Sequence, residues 1–494
     1  MSTREARSFL EAISANPDDD LARLVYADWL EERGDAPRAE FIRTQVERAT
    51  LPDWDARRVR LLIRERALLA QHEREWRAEL PAIEGITWGE FRRGFVATAT
   101  FASFAVFRTG WATCRAATPV EAVAVRWPRQ RGVAPLPGLR ELTVTGRLVA
   151  VEDLARLIES PVLSTLHTLT IRDAALGPDG FRRLASSPHL RNLTALRVPH
   201  NSIGNSGIDA VICAALPALT ELDLSESGSY GRYAEDPIIN ASGMARLAGW
   251  PGLARLRSLS LSGNDLRRAG LRALLQSPHA IELKHLALRG NGLTGPAMQE
   301  FDAAPAGLQL DSLDLGENLL RDTGAGHLAN AACLGGLKAL HLDRCEFRVS
   351  AARKLAKAPF VGGLRVLNVG SNNLGPGGLA ALLGGNAPEL HTLGLTSTDL
   401  GPAAATVLAG SPASDSLLDV DLSWNGLGDK AAQALAASAH LRNLLVLRLT
   451  HNPLGKPAGL ALAGSPLGKR LAVLDLPPTA VSRELPPVGD DIPF

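Results

Sequence analysis

The sequence is poor in several things that would have pointed to a function. Four cysteines among 494 residues leave no disulfide framework. Lys+Arg (53) and Asp+Glu (52) cancel to a net charge of +1, so the basic excess of a general polyanion binder is missing and no nucleic-acid partner is expected. No run of about 18 apolar residues occurs, so no membrane span is expected. The first residues, Met1 to Arg7, lack the apolar core of a signal peptide, and the expected location is a reducing cytoplasm. Aromatic residues make up only 5% of the chain and tyrosines number three. The apolar fraction of 46% is nonetheless ample for a large core.

What the sequence has in abundance is self-similarity. Leu139-Arg-Glu-Leu142-Thr-Val144 has the form LxxLxL, and the pattern restarts at Leu166, Leu193, Leu219, Leu256, Leu283, Leu310, Leu337, Leu364, Leu390, Leu417, Leu444 and Leu471. The spacing is 26 or 27 residues throughout, except for 37 between Leu219 and Leu256. All three pattern positions are Leu, Val or Ile in every one of the thirteen copies. An Ala- and Leu-rich stretch follows the triplet in the copies before the thirteenth, which has none, and it often ends at Ser-Pro, as at Ser160-Pro161 and Ser465-Pro466. The triplet alternates like a strand, the following stretch has helical spacing, and proline ends it. Each unit is expected to run strand, turn, helix, loop.

These residues resemble the leucine-rich repeat family in its ribonuclease-inhibitor-like form, with Leu444-Leu-Val-Leu447-Arg-Leu449-Thr-His-Asn452-Pro-Leu454-Gly455 as a clear copy. The resemblance covers 139–494 and implies an α/β solenoid, a curved horseshoe with a parallel inner sheet and outer helices. It also implies that the asparagine at the ninth position of a unit points inward and bonds turn backbone between neighbours. Asn201, Asn264, Asn291, Asn318, Asn372, Asn425 and Asn452 hold that position, and Cys345 is an allowed substitute. Ala174, Ser227, Thr398, Arg147 and Thr479 depart from the pattern, so the ladder is expected to weaken there, mostly toward the N-terminal side.

Residues 1–50 are organised differently. Three short helices are expected, over 3–15, 21–33 and 39–48, with Asn16-Pro17-Asp18-Asp19-Asp20 as break and cap. The run Leu24-Val-Tyr26-Ala-Asp28-Trp29-Leu30-Glu31-Glu32-Arg33-Gly34-Asp35 and Ala39-Glu40-Phe41-Ile42-Arg43 resemble the bacterial repeat-companion domain, a helical module that precedes repeat arrays. That resemblance implies a bacterial source and brings no activity with it. The predicted organisation is an all-α module over 1–50, a linking helix over 51–80, an aromatic-rich cap with a degenerate first unit over 81–138, and the repeats with a tail over 139–494.

A search for chemistry yields little. Gly290-Asn-Gly292-Leu-Thr-Gly295 matches GxGxxG, but Asn291 and Leu293 are already repeat positions. Gly464 to Lys469 is one residue short of a phosphate loop. Cys114, Cys213, Cys333 and Cys345 lack metal spacing, and Asp18-Asp19-Asp20 lacks the alternation of a calcium loop. No catalytic residue, cofactor or metal is predicted, and the chain reads as a non-enzyme.

A binding surface is easier to nominate. Residues between the leucines of the triplet point away from the core, and with the residues just beyond the triplet they form a polar face of mixed charge. Its candidate partner-binding residues are Arg172, Arg197, Asp223, His285, Arg289, Asp314, His341, Asp421 and Arg448, with Trp424 as a lone large aromatic. The 37-residue spacing places about ten extra residues at 228–237, where Tyr230, Arg232 and Tyr233 suit recognition of a protein. The expected function is a non-catalytic protein–protein interaction scaffold that uses the concave face and the 228–237 loop. The alternative is regulation of a partner enzyme as an inhibitor or GTPase activator, by resemblance to other arrays.

Overall fold

The computed structural model describes residues 4–126, 139–146, 157–227, 238–305, 307–384 and 389–480. They fall into two units, one of residues 1–53 and 61–239, the other of residues 54–60 and 240–494. Both are solenoid-like stacks in which a parallel sheet is backed by helices.

The first unit begins with helices α1 (Arg4–Ala15), α2 (Asp20–Glu32), α3 (Ala36–Thr50) and most of α4 (Arg57–Ala78). Local capping sets their starts: Asp19 accepts from the Leu21 N–H at 2.9 Å and Asp35 from the Arg38 N–H at 3.2 Å. The acidic turn of residues 16–20 also docks. Arg23, 1% exposed, donates to the Pro17 carbonyl and to Glu121, and Arg140 pairs with Asp18. Asp18–Asp20 therefore serves as cap and latch.

Strands β1 (Ile86–Trp88) and β4 (Thr98–Phe101) pair antiparallel around the hairpin of β2 (Phe91–Arg92) and β3 (Phe95–Val96). Helix α5 (Phe104–Ala117) then crosses over to β5 (Ala122–Arg126), which is parallel to β4. The aromatic residues of this region pack under the helices: Phe95 joins Ile13, Leu30 and Ile42, while Phe91 and Val96 join Phe41, Leu68 and Trp76. The degenerate triplet at Val120 forms β5 and pairs in register with β6 (Glu141–Thr145), which continues through β7 (Thr168–Arg172), β8 (Ala195–Arg197) and β9 (Glu221–Asp223).

The second unit stacks β10 (Ser258–Ser260), β11 (His285–Ala287), β12 (Ser312–Asp314), β13 (Ala339–His341), β14 (Val366–Asn368), β15 (Thr392–Gly394), β16 (Asp419–Asp421), β17 (Val446–Arg448) and β18 (Val473–Asp475), all parallel and in sequence order. Each strand aligns its central aliphatic residue with the next, from Leu259 against Leu286 to Leu447 against Leu474. These rungs are buried, with Leu474 on the last strand only half covered. Behind them lie short helices such as Arg267–Leu275 and Asp429–Ala436; the unit of β11 instead has a 3₁₀ helix, Gly295–Ala303.

The asparagine ladder is explicit. Asn318 accepts from the Asn291 and Leu293 N–H groups of the preceding unit, at 2.9 and 3.0 Å, and donates to the carbonyls of Leu288 and Leu315. Asn372, Asn425 and Asn452 repeat the arrangement. The expected weakening is seen in part: Ala174 has no side-chain group to bond with, while other departures keep a bond within their own turn. Ser227 and Thr398 each keep the bond to their own turn, through a hydroxyl on the Leu224 or Leu395 carbonyl at 2.7 Å. Where the ladder residue is Cys345 or Thr479, the N–H left over in the preceding unit, on Leu320 or Leu454, bonds to its own turn instead. The turn is closed in either case. Arg147 lies outside the described residues.

A correction concerns 51–80. The helix begins only at Arg57, because Pro52 disfavours it and the Asp55 carboxylate takes the Arg57 N–H at 2.9 Å as a cap. Residues 51–56 form a turn-rich segment instead of helix.

Candidate functional site

The polar face follows from strand alternation, since the aliphatic rungs occupy one side of each strand and the residues between them the other. In the first unit, Arg197 on β8 grips Glu221 on β9 through two bonds of 2.5 and 3.0 Å. This pairing holds the Arg197 guanidinium above the usual arginine range despite partial burial. Asp223 accepts from the Ser225 N–H at 2.9 Å, and Arg172 is exposed at the end of β7.

The second unit carries a larger cluster. Arg289, just beyond β11, reaches two units along to Asp343, with bonds of 3.0 and 2.5 Å, and lies 3.2 Å from Glu317 and 3.8 Å from Asp314. It passes over Gly316, where a Cβ would sit 2.3 Å from its Nη1. Arg289, Gly316 and Asp343 share the seventh position of their units, so the pair depends on the small residue between its members. The bond to Asp343 raises the Arg289 pKa, while burial raises that of the Asp314 carboxyl. Asn368 also donates to Asp343, at 3.2 Å, and His341 stands on the neighbouring strand end. Further along, Arg448 bonds to Asp419 at 2.6 Å and lies 3.7 Å from Asp475, with Asp421 half-buried on the same strand as Asp419.

The eighth position of each unit forms the rim. Its φ is positive in twelve successive units, from Gly146 to His451, with values of 49° to 86°. The backbone reverses there so that the ninth residue can turn inward, and most of these residues are not glycine. Side chains on this row pair between neighbours: His200 with Glu226 at 2.8 Å, Arg344 with Glu317 at 2.7 Å, and Trp424 stacked on His451 with ring centroids 4.0 Å apart. Trp424 is 57% exposed, so it is a surface aromatic.

His285 sits on β11 as expected, but its neighbour does not follow from the repeat. The Trp54 indole lies 5.6 Å away, centroid to centroid, and His391, beside β15, bonds through Nε2 to the Trp54 carbonyl oxygen at 2.7 Å. Trp54, His391 and Glu317 were absent from the sequence-based set. Glu317 could have been found by reading the eighth column as well as the strand positions. No local signal marks Trp54, which is remote in sequence from both histidines.

The predicted residues thus divide. Arg289 and Asp314 join one cluster with His341 close by, Arg448 joins a second, and Arg197 pairs in the first unit. Arg172 and Asp223 stand outside these clusters. Tyr230, Arg232, Tyr233 and the whole 228–237 insertion lie outside the described residues. Cys345 is buried, its thiol pushed up to about 12 by burial and donating to the Leu315 carbonyl; Cys333 is likewise pushed up to about 11. Neither is a ready nucleophile. Among the described residues no group of three or more His, Cys, Asp or Glu is arranged to hold a metal ion, and no helix is long and apolar enough to cross a membrane.

Residues 189–211, 255–275, 364–383, 414–436 and 440–463 match the family model described as Leucine Rich repeat. Comparison with curated protein sequences gives no match. Among solved structures, the chain is similar to one in the crystal structure of the Rad7 and Elc1 complex in yeast, at 18% identity and a TM-score of 0.44, covering 70% of this chain and 79% of that one. It is also similar to an internalin (inlF) from Listeria monocytogenes str. 4b F2365, at 16% identity and a TM-score of 0.41, covering 73% of this chain and 87% of that one. With the matched segments falling on the strand-and-helix units described above, this chain carries leucine-rich repeats, built as parallel strands backed by helices.

Proposed function

We propose that the chain is a non-catalytic scaffold that binds a protein partner through the polar face and rim of its repeats. The observation that carries this reading is the set of side chains already fixed on that face. Arg289 with Asp343, Arg448 with Asp419, and Arg197 with Glu221 are held by charge-assisted bonds. A surface whose charged groups are oriented before contact loses less freedom when it binds. The exposed Trp424, stacked on His451, supplies the kind of aromatic anchor on which interfaces depend. The repeat family supports a binding role over a catalytic one.

The partner-binding loop of the same proposal is 228–237, with Tyr230, Arg232 and Tyr233. The location proposed is the cytoplasm, the source bacterial, and the role of 1–50 that of a repeat-companion module. Trp424→Gly separates binding from folding, because glycine is unstrained at the φ of 61° that Trp424 adopts. The variant is expected to melt at or slightly above the temperature of the parent and to retain less of any partner recovered with the parent chain, read by quantitative mass spectrometry. Deletion of 228–237 is expected to behave the same way. Equal recovery by a folded Trp424→Gly variant removes Trp424 from the interface, and equal recovery by the folded deletion removes the loop.

A further inference from the structure

The polar face of the second unit is not bare. The segment Trp54–Arg60 belongs to that unit although it lies far from it in sequence, and it rests on the face and not in the aliphatic interior. Two strand-side histidines receive it. The His285 imidazole meets the Trp54 indole at 5.6 Å with a 35° tilt. His391, only 4% exposed, donates from Nε2 to the Trp54 carbonyl, which fixes its tautomer, since Nδ1 is then free to accept from the Thr392 hydroxyl at 3.1 Å. Asp55, the next residue, folds its carboxylate back onto the Arg57 N–H and guanidinium, so the turn that presents Trp54 is internally braced.

An indole set against an imidazole and a main-chain carbonyl captured by a side chain are how a folded surface receives a peptide segment. Between His285 and Thr392 the strand positions in the same register are Ser312, Ala339 and Val366, none of them large, which leaves room for a bulky guest residue. The leucine rungs lie on the opposite side of the sheet, so lifting the segment away exposes no core. We propose that the sheet face between β11 and β15 is a binding site for a turn-forming peptide segment bearing an indole, and that the chain's own Trp54 segment is its resident occupant, which a partner segment of the same chemistry must displace. This inference rests on the scaffold reading but concerns a different patch from the Trp424 rim.

Because the occupant is tethered, it competes at a high effective concentration, and a peptide added in trans binds the intact chain weakly. The test uses the full chain and a labelled synthetic peptide of the sequence from Leu51 to Arg60, followed by fluorescence anisotropy. Trp54→Ala is expected to bind this peptide at least tenfold more tightly than the parent, and the double variant Trp54→Ala/His391→Ala to lose that gain. In parallel, diethyl pyrocarbonate modification of His285 and His391, read by mass spectrometry, is expected to rise in Trp54→Ala while that of His440 stays level. A Trp54→Ala chain whose histidines stay protected overturns the occupancy. One whose histidines open but which binds the peptide no better than the parent overturns the site, and the Trp424 rim, tested separately, is untouched by either result.

Discussion

At the scale of single residues, function and stability are tied to a few side chains that reach beyond their own unit. Arg289 meets Asp343 only because Gly316 lies between them. Gly316→Ala is expected to push the guanidinium aside and cost about 1 kcal/mol, since the pair is partly exposed and screened. A double-mutant cycle checks this: in an Arg289→Met background the same substitution should cost little. His391 gives a pH signature. Burial is the main cause that holds its imidazole below the ordinary value of about 6.5, with Arg365 adding to it, against the Trp54 carbonyl, Asp55 and Asp419. The unfolded chain therefore takes up the proton first. The stability His391 contributes is present above about pH 6.5 and declines as the pH falls from there toward the lower folded value. Chemical denaturation between pH 5 and 7 should show a slope that His391→Gln reduces.

At the scale of elements, the turn after each strand is the part that cannot be chosen freely. Its eighth residue takes a positive φ and its ninth must satisfy backbone groups in two units. Cys345 fills the ninth position with a weak donor, and the Leu320 N–H turns back to its own Asn318 carbonyl. Cys345→Asn places there the side chain that the neighbouring turns already accommodate. It is expected to raise stability by about 1 kcal/mol, the net worth of an added hydrogen bond, visible as a higher denaturation midpoint at unchanged slope. The helices have a looser specification: nine residues of 3₁₀ helix at Gly295–Ala303 occupy the place where other units have α-helix.

At the scale of the whole molecule, the stacks are sums of neighbours. Each rung touches the one before and the one after, so a lost leucine is felt locally first. Leu313, buried between Leu286 and Leu340, is a clean site. Leu313→Ala is expected to cost about 3 kcal/mol through the lost contact and the cavity left behind. Hydrogen exchange should show protection falling in β11, β12 and β13 and persisting at β17. Uniform loss across the second unit would mean that it unfolds as one block.

The sequence by itself determined the rungs, their spacing and the ninth-position ladder, because each depends on side chains recurring at a fixed local period. Leu259 to Leu474 and Asn318, Asn372, Asn425 and Asn452 could be read directly, and the degenerate strand at Val120 with them. Reading the 51–80 stretch as continuous helix failed at Pro52 and Asp55, where two residues outweigh the pattern around them. Only the tertiary structure decided which charged groups pair across units and what lies on the polar face. Trp54 and His391 are 337 residues apart. No period links them, and their contact exists only because the folded backbone brings a linker onto the sheet.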